Sequence, residues 1–262
     1  MNVLKRREMY IGANMDPIHQ FEIKKLFVFG TFGGQELAFT NSALFMLIIA
    51  LTVSLLMIGA TGNRALVPGR LQSVAEMFYE FVANMLRNST GIEGMKFFPF
   101  VFTLFMFLLF ANIIGLIPFM FTVTSHIIIT SALAGLVFLV VLSYGFWKNG
   151  LHFFNLFVPK GVPIYILPLI VCIEVISFLS RPISLSVRLF ANMLAGHITL
   201  QVFAGFITML GAFGVFGWLG ATLPFALVVA LVALELLIAF LQAYVFAILT
   251  CIYLNDAIHP AH

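Results

Sequence analysis

Residues Glu174–Thr199 read EVISFLSRPISLSVRLFANMLAGHIT, a run apolar enough to enter a bilayer that nevertheless holds Glu174, Arg181, Arg188, Asn192 and His197. Turned at 100° per residue, Glu174, Ser177, Arg181, Ser184, Asn192, Ala195 and Thr199 fall within about 40° of Arg188. The segment therefore reads as a membrane helix, roughly 37 Å long, with one stripe of ionisable, hydroxyl and small side chains. An arginine at mid-bilayer costs between about 2.5 and 17 kcal/mol, depending on how the cost is measured, so it faces protein or water and marks an ion path. Snorkelling would need a helix end within reach, and apolar sequence continues well beyond Arg188 on both sides.

The rest of the composition agrees. With 62% hydrophobic and 9% charged residues and a mean hydropathy of +1.12, the chain is an all-α integral membrane protein. Its 262 residues suit one membrane domain of five or six helices, with no room for a separate globular one. The net charge is only +3 and the basic residues sit in loops, which excludes a nucleic-acid footprint. Cys172 and Cys251 lie inside apolar segments, where cysteine acts as a small buried hydrophobe. There is no CxxC pair and no His/Cys spacing for a metal, so neither a metal site nor a cofactor is expected. Residues 1–41 contain no apolar core of signal-peptide length, and the first span is expected to direct insertion.

Residues 1–41 read as a surface tail, with a short amphipathic helix expected near Ile18–Phe29, and residues 42–262 as the membrane domain. Spans are expected at 42–61, 97–121 and 127–147. Between the first two, a Pro-Gly turn in the 62–69 loop precedes Arg70–Arg87, which places Leu71, Val74, Met77, Phe78, Phe81 and Val82 at helical spacing as an interfacial amphipathic helix. Beyond the polar segment around Lys148–Lys160 come two apolar stretches, 162–210 and 222–255. Each is too long for a hydrocarbon core of about 30 Å. They either break within the membrane, with Pro182 as a kink, or form a long, strongly tilted hairpin turning through Gly211, Gly214, Gly217, Gly220 and Pro224. The basic loops, with Arg64, Arg70, Arg87 and Lys96 in one and Lys148 and Lys160 in the other, belong inside, so the N-terminus is expected outside.

Arg188 is a fixed positive charge that attracts a carboxylate without losing a proton. Glu174, roughly 21 Å away along the helix, lies near one membrane face, where its carboxyl could exchange protons with water; alternatively it pairs with Arg181. Asn192 could hold a water or a carboxylate, or make a helix–helix hydrogen bond. His197 points to the side opposite Arg188. In the last helix Glu235 and Gln242 share one face of an apolar run. An unpaired ionised Glu235 would be very costly there; it is protonated, wet or bonded to His197. A Glu–His pair in a wet pocket is a serviceable proton relay.

At these residues the chain resembles subunit a of the F-type ATP synthases. The resemblance rests on RPISLSVRLFANMLAGH at Arg181–His197, on Glu235 and Gln242 with Tyr253-Leu254 after them, and more weakly on NIIGLIP at Asn112–Pro118. It implies a proton-conducting stator of the membrane Fo sector, without a catalytic site of its own, lying against a c-ring and held by the b subunits of the peripheral stalk. The family's essential arginine falls on Arg188. Its proton half-channel positions fall on Glu174, Ser184, Asn192, His197, Glu235 and Gln242. Glu235 and His197 occupy each other's places relative to some bacterial members, and this His–Glu pair favours protons over sodium. The implied location is the bacterial inner membrane, the mitochondrial inner membrane being the alternative. Two other classes lack their signatures: a transporter for an anionic solute calls for an inverted repeat, and an intramembrane hydrolase for G-x-S-x-G or H-E-x-x-H.

Overall fold

The computed structural model describes residues 23–32, 35–62, 68–117, 120–158 and 165–259. Among them are six α-helices: α1 Asn41–Gly62, α2 Arg70–Thr90, α3 Phe98–Gly115, α4 Ile127–Asn149, α5 Leu167–Gly211 and α6 Val215–Ile258. Three short 3₁₀ segments, Glu93–Phe97, Val123–Ser125 and Gly150–Phe157, join them. All but α2 are long and apolar enough to cross a bilayer. The chain is a multi-pass all-α membrane protein.

The tail differs from expectation. Lys25–Phe32 and Gln35–Thr40 form antiparallel strands β1 and β2, so Lys25–Phe29 is strand rather than the end of an amphipathic helix. Residues 18–22 of that expected helix, part of the 62–69 loop, Pro118 and Lys160 lie outside the described residues.

The second span is shorter than expected, ending at Gly115 rather than Phe121. Pro118 disfavours helical backbone just before it, and the chain turns into the 3₁₀ segment Val123–Ser125. In the C-terminal third the long hairpin, not the broken helix, is what forms. Helix α5 has 45 residues and runs unbroken through Pro182; α6 has 44 and runs through Pro224. At helical rise each is roughly 66 Å long, about twice a hydrocarbon core, so each tilts steeply or runs past it. The turn between them is only Ala212–Gly214, closed by Gly214 at φ 75°, a conformation that favours glycine. Gly217 and Gly220 are helical instead. Backbone in lipid must satisfy its own hydrogen bonds, and a compact turn leaves fewest groups outside a helix.

The core forms where α2, α3, α4, the first half of α5 and the last half of α6 meet. It holds Val82, Leu86, Val101, Phe105, Val141, Leu185, Leu189, Phe246 and Leu254. Helix α2 turns Val82, Ala83, Met85 and Leu86 into this core and leaves Leu71, Val74 and Met77 exposed. Thus only part of its expected apolar face is exposed.

Candidate functional site

Helices α5 and α6 pack antiparallel, and three contacts fix their register. Nearest the start of α5, Arg181 Nη1 donates to Asp256 Oδ2 at 2.9 Å. Near the middle, Asn192 Nδ2 donates to Gln242 Oε1 at 3.1 Å. Farther along, Gly196 lies so close to α6 that a Cβ there would collide with Glu235 Oε1.

The Arg181 contact corrects one expectation. Glu174 is half-buried and makes no hydrogen bond or ion pair among the described residues. Side chains meet along a helix three or four positions apart, and Glu174 and Arg181 are separated by about two turns. Arg181 instead reaches across to Asp256, with its guanidinium over the rings of Tyr253 at 5.4 Å and Phe178 at 5.9 Å. This cluster supports α5 at Pro182, where an interior proline costs about 3 kcal/mol.

Arg188 stands near the midpoint of α5, exposed, with no hydrogen bond or ion pair among the described residues. Ser184, Ala191, Asn192 and Ala195 are exposed beside it, so the stripe read from the sequence is an open flank of the hairpin. The opposite side of α5 is covered. Leu185, Ser186, Leu189, Met193 and His197 are buried there, and Ser186 shares hydrogen bonds with Thr130 at 3.1 Å and Ser131 at 2.9 Å on α4.

In the C-terminal half of α5, on the covered side, a polar cluster surrounds His197. Its Nε2 lies 2.9 Å from Thr122 Oγ1, and Thr122 Oγ1 donates to the Gly115 carbonyl at 3.2 Å. Ser125 Oγ donates to the Thr122 carbonyl at 2.7 Å. Thr124 Oγ1 donates to Asn112 Oδ1 at 3.0 Å, and Asn112 Nδ2 donates to the Ala239 carbonyl of α6 at 3.3 Å. His126, at the start of α4, stacks on Phe121 with centroids 5.0 Å apart, and burial holds its imidazole below the usual histidine range. One hydrogen bond of His197 thus goes to Thr122, while the expected partner Glu235 packs against the adjacent Gly196.

Glu235 and Gln242 are 8% and 4% exposed. Glu235 Oε2 and Gln242 Nε2 are both buried without a hydrogen-bond partner among the described residues. Buried polar atoms are normally satisfied, so two such atoms about two turns apart on α6 mark a polar lane beside Asn192. The structure brings together Asn192 with Gln242, and Glu235 with the His197 turn. Ser184 stays on the open flank near Arg188, and Glu174 lies apart toward the start of α5. Thr122, Thr124 and Asp256 were not singled out in the sequence; the hydroxyl-rich FTVTS loop was the local signal for the two threonines.

The sequence model of the ATP synthase A chain family matches residues 43–255. The chain belongs to that family. A Nitrobacter hamburgensis protein named ATP synthase subunit a is 68% identical over 248 residues, covering 95% of this chain and all of the relative. The subunit a of Rhodopseudomonas palustris is 64% identical over the same shares, and that of Afipia carboxidovorans is 68% identical over 94% of this chain and 99% of its own. As a subunit a the chain is one component of the ATP synthase complex, serving its membrane sector. The features above lie on the α5–α6 hairpin of that subunit and on the loop packed behind it.

Proposed function

We propose that this subunit a is the proton-conducting stator of Fo, with Arg188 separating two aqueous half-channels beside a rotating ring of c subunits. The observation that carries this reading is Arg188 itself: a permanent charge at mid-helix, on an open flank, without a counter-ion among the described residues. In a bilayer such a group must meet protein or water. A ring whose subunits each carry one membrane carboxyl supplies both the cover and the counter-charge. The flank's small neighbours, Ala191 and Ala195, leave room for a sliding surface.

The chemistry follows from the cost of charge in lipid. A ring carboxyl is neutral while it faces lipid and ionises only beside water and a cation. Arg188 favours the ionised form locally, and because guanidinium does not give up its proton, it blocks a direct leak between the half-channels. The membrane potential contributes about 2.3 kcal/mol per charge per 100 mV, which biases the ring's rotation. His197, Glu235, Asn192 and Gln242 would line the outer half-channel; Glu174 and Ser184 belong to the inner one. The b subunits would hold the stator still. The basic loops favour an N-terminus outside and a C-terminus inside the bacterial inner membrane.

Arg188→Ala tests the reading. ATP synthase carrying it, reconstituted in vesicles with an imposed proton gradient, is expected to assemble normally and to make no ATP; coupled synthesis at the wild-type rate would refute the proposal.

A further inference from the structure

We infer that Thr122 is a positioning residue for the proton path, fixing which ring nitrogen of His197 exchanges its proton. The inference rests on the reading that His197 lies in that path.

Thr122 is fully buried and touches His197 Nε2 at 2.9 Å and the Gly115 carbonyl at 3.2 Å through one hydroxyl oxygen. A hydroxyl has one proton to donate and lone pairs to accept. Gly115 ends α3, and its carbonyl is among those that a helix terminus leaves without an intrahelical partner. A carbonyl can only accept, so the Thr122 proton goes to Gly115. The lone pair then facing the imidazole must accept, which puts the hydrogen of His197 on Nε2. In the neutral ring the basic nitrogen is consequently Nδ1, and uptake and release of the mobile proton occur there.

The placement of Thr122 is itself built. A Cβ at Gly115 would lie 2.8 Å from Thr122 Cγ2 and 3.3 Å from its Oγ1, so glycine at this position admits the threonine over the helix end. Ser125 holds the Thr122 carbonyl at 2.7 Å. The Thr124–Asn112–Ala239 bridge ties the same loop to α3 and α6. A β-branched side chain in so restricted a place has few rotamers available. The hydroxyl therefore stays aimed at the ring while the ring's charge changes.

Two near-isosteric substitutions separate positioning from packing. Thr122→Val keeps the shape and loses the hydroxyl; Thr122→Ser keeps the hydroxyl and loses a methyl. The measurements are passive proton flux through Fo in vesicles and the ring-nitrogen NMR signals of isotope-labelled histidine in the whole complex. The His197 signals are identified by their loss in His197→Gln. Thr122→Val is expected to lower flux about tenfold or more and to shift the His197 signals away from the Nε2–H pattern. Thr122→Ser should retain most of the flux and the wild-type signals. The opposite ranking, or wild-type flux and signals in Thr122→Val, overturns the inference. Should Thr122→Val not assemble, Thr122→Ala against Thr122→Ser gives the same comparison, and equal flux in the two overturns it. Normal flux in His197→Gln would instead remove His197 from the path, a failure of the proposed function and separately visible.

Discussion

The two sides of α5 are made from the same twenty-odd residues and treat polar groups in opposite ways. On the covered side the two buried polar residues are both partnered: Ser186 meets Thr130 and Ser131, and His197 meets Thr122. On the open side Ser184 and Arg188 have none among the described residues, while Arg181 and Asn192 on the same stripe are tied across to Asp256 and Gln242. A polar group inside a membrane protein is costly unless satisfied. The covered side thus satisfies Ser186 and His197 within this chain, whereas the open side leaves Ser184 and Arg188 unmet among the described residues.

The contrast can be broken most severely at the lane beside Glu235. Glu235→Gln is expected to slow proton delivery from the outer side by about tenfold or more, and Glu174→Gln to slow it less; passive flux through the two variants in oriented vesicles decides, and equal slowing would erase the assignment of sides. Next comes Gly196→Ala, which forces a methyl into the Glu235 side chain and should lower the chain's stability by about 1–3 kcal/mol. Ala195→Leu, one residue away on the open flank, should leave the thermal midpoint of the isolated chain unchanged while reducing coupled ATP synthesis in the complex. If both variants shift the midpoint equally, the two sides are not distinct.

Smaller effects belong to the ion pairs. A double-mutant cycle of Arg181→Gln and Asp256→Asn, read by thermal unfolding in detergent, should give a coupling of about 1 kcal/mol, since the pair is only partly shielded from solvent. Smallest of all, Lys148→Ala removes the exposed Lys148–Glu93 bridge at 2.6 Å and should leave the midpoint unchanged. A clear drop there would mean that the Glu93–Phe97 corner carries more of the fold than its exposure implies.

Most of the helical architecture was legible because lipid demands long apolar runs and leaves few alternatives to helix. The Arg188 stripe and the stance of His197 away from it followed from periodicity, whereas the length of the apolar stretches suggested the hairpin without deciding against a broken helix. The β1–β2 hairpin did not, although Phe32-Gly-Gly-Gln35 between two short apolar runs is a two-residue turn signal. Its strands were short enough to pass for a polar tail. Thr122 could not be foreseen from spacing, because it meets His197 across 75 residues of sequence. Asp256 likewise meets Arg181 across 75, and the last helix was expected to stop at residue 255. Contacts between elements depend on register, and the register of α5 against α6 was set by a turn of three residues where five glycine and proline positions had offered a longer one.

The uncovered guanidinium at the centre of α5 also bears on how the subunit is made. On the proposed reading, a freshly inserted copy without its neighbours would carry a cation that no described residue neutralises, and water or thinned lipid would have to shelter it. Membrane-bound quality-control proteases should therefore clear surplus copies, and synthesis of this chain should be matched to that of the parts that cover it.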